Sequence, residues 1–403
     1  MKTQFNLAAL APSGSADFQS AVSRISNPQT PHKHERHGDL NARPAGSRRY
    51  SRLETCATVW RSVLLGWVLL LFTLALQPST LLAQGSLTPP GPPAPTMKTL
   101  QQVEPRVPIS SAPFTISQPG SYYLTTNLTV SGGNAITIAT NGVTLDLNGF
   151  TISSTANPPS GRAVLINAGL RDITIQNGHI RGGVTNNGSG VFSGPGFGDG
   201  IYYSGSEPQN VRVSGVSVSG CRYAGIYVGL EASTTVENCV VRTVGGVGIA
   251  ASIIRGCVAL DCGSTAIGGN ELSDSRGESV GIGYGVLATT AHNCYGKSHS
   301  GTGLSAYTAQ NSYGYSNAGT GLYASGTAIG CYGESISGTG LYAFGTAIGC
   351  YGVSSSGPRG LFALNANTCT GYRSGGRAIE AAIANGCWAA LGTNLITYKY
   401  NMP

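Results

Sequence analysis

Aromatic residues recur in the C-terminal half of this chain at nearly constant spacing. Tyr295, Tyr313, Tyr332 and Tyr351 form one series, and Tyr323, Tyr342 and Phe362 a second, with steps of 18 to 20 residues in both. Rings repeated at that interval suit two roles. As flat amphipathic surfaces in water they could stack on sugars, which makes all seven candidate binding residues for a polysaccharide or a cell-surface glycan. As neighbours on adjacent strands they would cover backbone and support one another by about 0.2–1 kcal/mol per pair, with no ligand involved.

Acid–base chemistry needs carboxylates or histidines placed against a substrate. The densest acidic set is Asp261, Glu271, Asp274 and Glu278, with Arg255, Arg276 and His292 near it. Glu237 and Arg255 share one position of the repeat, which predicts a stacked ion pair rather than catalytic partners. Asp274 falls where other repeats carry Gly or Asn. The set reads as solvated turn charges, and no catalytic residue is assigned.

Seven of the ten cysteines, Cys239, Cys257, Cys294, Cys331, Cys350, Cys369 and Cys387, hold one repeat position that Phe150, Val216, Ser275 and Ser312 fill elsewhere. An apolar residue in early repeats implies that the position points inward. On parallel strands such thiols would lie about 4.8 Å apart with parallel Cβ vectors, poorly directed for a disulfide. The expectation is a buried thiol ladder packing as small hydrophobes, with disulfides between neighbours such as Cys350 and Cys369 as the alternative. No Cys-x-x-Cys pair or converging histidine suggests zinc, so neither metal nor cofactor is expected.

Whatever these side chains do, an element with a period near 19 residues must hold them in register. The octapeptide GTAIGCYG occurs at Gly326–Gly333 and again at Gly345–Gly352. A small residue followed by a branched aliphatic occurs twelve times, beginning Ala135-Ile136, Ala163-Val164 and Gly200-Ile201 and ending Gly340-Leu341, Gly360-Leu361 and Ala378-Ile379. A parallel series runs Gly149, Asn177, Gly215, Asn238, Gly256, Asp274, Asn293, Asn311, Gly330, Gly349, Thr368 and Gly386. Gly, Asn and Asp tolerate left-handed backbone, so this series predicts a positive-φ corner once per repeat. Short runs of period-two alternation flank each corner, as in Leu145 and Leu147 before Gly149 and Ile152 after it. Coils that repeat the same face order stack as a parallel β-helix. The fold class expected is all-β, a right-handed parallel β-helix solenoid of about 12 coils, rising roughly 55–60 Å.

The segment NAITIATNGVTLDLNGFTISS, followed by LRDITIQNGHIRGG, resembles the opening coils of bacterial right-handed parallel β-helix proteins of the pectin-lyase-like superfamily. The later GTGLYA and CYG repeats resemble those of secreted, uncharacterised β-helix repeat proteins. Together the resemblance spans about residues 98–403. Many members of that superfamily cleave acidic polysaccharides, and polygalacturonase-like members carry Asn-Thr-Asp, Gly-Asp-Asp, His-Gly and Arg-x-Lys motifs. Here the sequence GDG at Gly198–Gly200 lacks the second Asp, and the folded coils contain no His-Gly.

Composition agrees with this architecture: 59 glycines in 403 residues and only 10% charged side chains, with 41% hydrophobic residues to fill a long core. Residues 1–58 read as a non-structural leader, the product of a start assigned upstream of the true one. Residues 59–84 read as a signal peptide, with an apolar run Val63–Leu76 and small residues at Ala83 and Gly85. Residues 85–97 read as a Pro-rich linker and 98–403 as the β-helix domain with an N-terminal cap. Residues 1–84 carry 9 Lys/Arg and 4 Asp/Glu, so the remainder carries 15 and 13, a net +2. The overall charge of +7 is therefore no argument for nucleic acid. Once the signal is removed no stable membrane span is expected. The sequence points to a secreted, periplasmic or cell-surface β-helix protein with a structural or adhesive role and glycan contact. The alternative is a carbohydrate-active enzyme, a polysaccharide lyase or glycoside hydrolase, whose site lacks familiar motifs.

Overall fold

The computed structural model describes residues 104–205, 208–230 and 233–402. The chain divides into two compact units, Met1–Pro90 and Gly91–Pro403, and the described residues belong to the second. The expectations for the leader, the signal peptide and the Pro-rich linker fall outside the described residues. Among the described residues no helix is long and apolar enough to cross a membrane.

From Val107 to Tyr400 the described chain is strand, turn and strand again, with successive coils paired in parallel. The twelve aliphatic positions read from the sequence form one continuous register. Ile136 pairs with Val164, Val164 with Ile201, Ile201 with Ile226, and so on through Leu341, Leu361 and Ile379. Most of these side chains are fully buried, so they form a stripe along the core. The molecule is a parallel β-helix of about 15 turns, close to the 12 expected. The small-plus-aliphatic signature fails at the ends: Phe114 continues the column before Ile136, and Asn394 continues it after Ile379. Right-handed winding is the sense that strand chirality favours for crossovers between parallel strands.

Each of the twelve predicted corners has positive φ, between 48° at Asn311 and 76° at Gly149. Asn401, at φ 47°, adds a thirteenth, stacked on Gly386 through the bond from the Gly386 N–H to the Tyr400 carbonyl. A corner at the same place in thirteen successive coils is what keeps the columns straight.

The interior narrows toward the C-terminus. Early coils fill it with Ile, Val and Leu, whereas later coils use Ala324, Ala343 and Ala363 with an inward column of glycines. A Cβ on Gly314 would sit 2.3 Å from the Gly321 carbonyl oxygen, so backbone from the opposite wall occupies that space. Buried serines close the turns that follow. Ser316 donates to the Gly301 carbonyl at 2.6 Å and accepts from the Gly319 N–H at 2.8 Å. Ser298, Ser335 and Ser354 repeat the arrangement, and Arg373 takes over the donation to Gly357 one coil later.

One insertion leaves the coil path. Between Arg181 and Asn210 the chain makes a small antiparallel hairpin, Thr185–Asn186 against Phe192–Ser193. Asn186 donates to Asp261 at 2.6 Å, and Arg222 donates to the Phe192 carbonyl, which fix the hairpin to the wall of the solenoid.

Candidate functional site

The two aromatic series lie where the period put them. Tyr295, Tyr313, Tyr332 and Tyr351 pair in direct register on four successive coils. Their ring centroids are 5.1, 5.0 and 5.1 Å apart, with interplanar angles of 10°, 15° and 22°. Each ring is half-buried. The guanidinium of Arg276, the preceding residue of the column, lies 4.9 Å from the Tyr295 centroid and closes that end of the stack. Every interior ring therefore has its faces covered by its neighbours. The ladder presents ring edges and hydroxyls to solvent, not a set of free faces.

In the second series Tyr323 and Tyr342 stack at 5.3 Å, and Tyr342 and Phe362 at 4.5 Å. Arg359 lies 5.3 Å from the Phe362 centroid and pairs with Glu380, which also receives Arg377 at 2.7 Å. Higher in the same column Tyr202 and Tyr227 stack at 5.4 Å, with Arg162 over Tyr202 at 4.7 Å. The sequence reading missed this pair, because its spacing is 25 residues and Ala250, Gly268, Leu287 and Ser305 separate it from Tyr323.

A depression flanks the first ladder on each side. Toward the corner, Asp274, Asn293 and Asn311 line a shallow groove of about 460 Å³ together with Tyr295, Tyr313 and Tyr332. Asn293 donates from Nδ2 to Asp274 Oδ1 at 3.2 Å, so corner side chains also stack into a ladder. On the other side lies a more polar cleft of about 500 Å³, which Tyr295 and Tyr313 also line. Its floor is the column Glu278, Lys297, Tyr315 and Glu334, two residues beyond Arg276 and the tyrosines on each strand. His299 and Asn317 add polar groups at one rim, with the Asn317 amide 3.0 Å from His299 Nδ1. The hairpin tip, Gly188 and Ser189, forms the opposing wall. Two residues along a strand return to the same face, so the alternation alone could have exposed this polar column.

Tyr313 donates to Glu334 Oε2 at 2.7 Å, which ties the ladder to the cleft floor. Burial, reinforced by that bond, pushes the Tyr313 phenol well above its ordinary value, and burial raises Tyr295 and Tyr332 as well. These hydroxyls stay protonated and keep a donor at neutral pH.

Of the acidic set, Asp261, Asp274 and Glu278 are occupied, and Glu271 is exposed. Glu278 pairs with Arg276, Arg255 lies 3.6 Å from Glu237 as a stacked pair, and Asp261 receives Asn186. Asp274 has φ of 52° at its corner. Asp199, from the GDG sequence, is buried: it receives the Ala224 N–H at 3.0 Å and pairs with Arg162 at 3.3 Å, while burial raises its pKa. Glu278 and Glu334 share the cleft but stand three coils apart, about 14 Å on strand spacing. Carboxylate pairs that hydrolyse glycosides sit within about 10 Å. Among the described residues no group of three His, Cys, Asp or Glu converges as a metal site. The nine described cysteines are free and buried.

No family model matches this chain, and no curated protein matches it. Among solved structures the chain is similar to the enzymatically active domain of tailspike protein 2 from bacteriophage CBA120, at 13% identity and a TM-score of 0.25, over 70% of this chain and 41% of that one. The chain thus spans less than half the length of the tailspike chain it matches.

Proposed function

We propose that this is an exported adhesive scaffold whose Tyr295–Tyr351 face binds an extended polysaccharide or a cell-surface glycan. The observation that carries this reading is the ladder of four tyrosines bordered by the cleft of Glu278, Lys297, Tyr315 and Glu334. One phenol per coil repeats at about the width of a sugar ring, and the cleft supplies carboxylate, ammonium and phenol groups that can hydrogen-bond to hydroxyls. Ring edges and hydroxyls, rather than open ring faces, make the contact.

The test is electrophoresis of the exported chain through gels containing plant, algal or bacterial polysaccharides. At least one should retard the native protein. Tyr313→Phe combined with Glu334→Gln should reduce that retardation several-fold while leaving the melting temperature within a few degrees. Equal retention by this variant and the native chain overturns the reading. A reducing-end assay runs alongside: sustained release of new ends would place the chain with carbohydrate-active enzymes instead.

A further inference from the structure

The hairpin of the Arg181–Asn210 insertion runs along the solenoid instead of around it. Gly245 donates to the Cys221 carbonyl, Gly263 to Val244 and Val280 to Cys262, so these turns belong to four successive coils. The hairpin touches them in order. Arg222 donates to the Phe192 carbonyl, and Asn186 donates to Asp261. The Phe192 side chain packs over Gly245 and Gly263, where an added Cβ would lie 3.1 and 2.9 Å from it. Gly190 lies beside the Val280 carbonyl, and Gly188 and Ser189 face Glu278 and Val280 across the cleft. The tip therefore stands at the N-terminal end of the cleft, and the rest of the hairpin covers the turns above it. Beyond Glu334 the floor column continues through Val353 and Tyr372, paired coil to coil with no inserted segment between them. Among the described residues the cleft is closed at one end and open at the other.

We infer that the cleft takes the end of a glycan chain rather than an internal stretch, with the hairpin tip as the stop. The inference rests on the glycan-binding reading above and adds which part of the polymer is bound. A chain threaded along the floor column would have to pass through Gly188 and Ser189, whereas a chain that ends there meets no obstacle. A terminal sugar also keeps a hydroxyl that a glycosidic bond consumes in an internal one. Lys297 is placed to receive it. Its ammonium lies 5.9 Å from the Tyr315 ring centroid and has no carboxylate partner among the described residues, so its N–H donors are available to an oxygen acceptor.

Competition during affinity electrophoresis separates ends from interior. The exported chain is run through gels containing dextran, xylan, alginate or polygalacturonate, with free competitor added as the same intact polymer or as its partial acid hydrolysate. For a polymer that retards the native chain, the hydrolysate should compete at a lower mass, in proportion to the ends it has gained. Interior binding gains nothing from hydrolysis, because the number of interior sites per gram does not rise. Deleting Ser189–Val191 joins Gly188 to Phe192 and leaves a two-residue Asn-Gly turn between the paired Asn186 and Phe192, so the tip retracts while both anchors stay. That variant should be retarded at least as strongly by intact polymer and should lose the preference for hydrolysate several-fold. Equal competition per gram on the native chain overturns the inference and leaves glycan binding standing, whether or not the deletion folds. A deletion variant with native circular dichroism that keeps the full preference for ends also overturns it. Retention by none of the four polymers removes the inference together with the reading it rests on.

Discussion

The phenol of Tyr313 donates to Glu334 on the next coil at 2.7 Å, although in the strand register Glu334 faces Tyr315. The bond runs diagonally between two outward columns. It therefore couples the aromatic ladder to the cleft beside it.

That coupling has a pH signature. Burial first, and then the bond to Glu334, raises the Tyr313 phenol above its usual value near 10, while burial raises Tyr295 and Tyr332. A phenol that holds its proton more tightly when folded contributes stability that is fully present below the unfolded value. That contribution is lost as pH rises beyond it. The melting temperature should be level up to about pH 9 and fall above about pH 10. Tyr313→Phe should flatten part of that fall and remove one late-titrating phenol from the tyrosinate absorbance. An identical alkaline slope in the variant would refute the assignment.

Two glycines of the doubled octapeptide should resist a side chain for different reasons. At Gly333 a Cβ would lie 2.4 Å from the Gly340 carbonyl oxygen, so Gly333→Ala should destabilise by about 1–3 kcal/mol or more through backbone displacement. At Gly349 nothing lies within 4 Å, but φ is +59°. Gly349→Ala should cost about 1–2 kcal/mol from the left-handed conformation alone, and Gly349→Asn distinctly less. Urea titration of the three variants checks the order.

The C-terminal thiols of the ladder should be chemically quiet. Cys350, Cys369 and Cys387 are almost wholly inaccessible and each accepts or donates only within the ladder or to backbone carbonyls. The hydrogen bond to Cys331, with burial, pushes Cys350 up to about 12, and the bond to Cys350 pushes Cys369 up to about 11. Little thiolate exists at pH 8, so iodoacetamide should label these residues only after denaturation. Rapid labelling of the native protein, or a Cys350–Cys369 disulfide in mass spectrometry, would contradict this.

The proposed export carries a further prediction. The apolar run Val63–Leu76 followed by Ala83 is the sequence pattern from which signal cleavage near residue 84 is expected. N-terminal sequencing of protein recovered outside the cytoplasm should find no residue upstream of about position 80. Recovery of exported chain that begins at Met1 would rule the cleavage out.

How much could be read in advance depends on whether the period held. In a β-helix each coil advances the chain by one strand spacing, so a position in the repeat converts directly into a column and a face. That is why all twelve corners, from Gly149 to Gly386, have positive φ, and why Tyr332 meets Tyr351 as the doubled octapeptide implied. The stacked pair Glu237–Arg255 follows from the same arithmetic. What breaks the period had to wait for tertiary structure. Gly188 and Ser189 wall the cleft of Lys297 and Glu334 although about a hundred residues separate them, because the hairpin is held by Asn186 and Arg222 rather than by coil stacking. The orientation of the rings was also beyond the pattern: alternation says that a tyrosine points outward, but only packing against its neighbour says which face of it remains free. Among the described residues no strand follows Trp388–Tyr400, and there the side chains of Asn394 and Trp388 meet surroundings that the repeat does not specify.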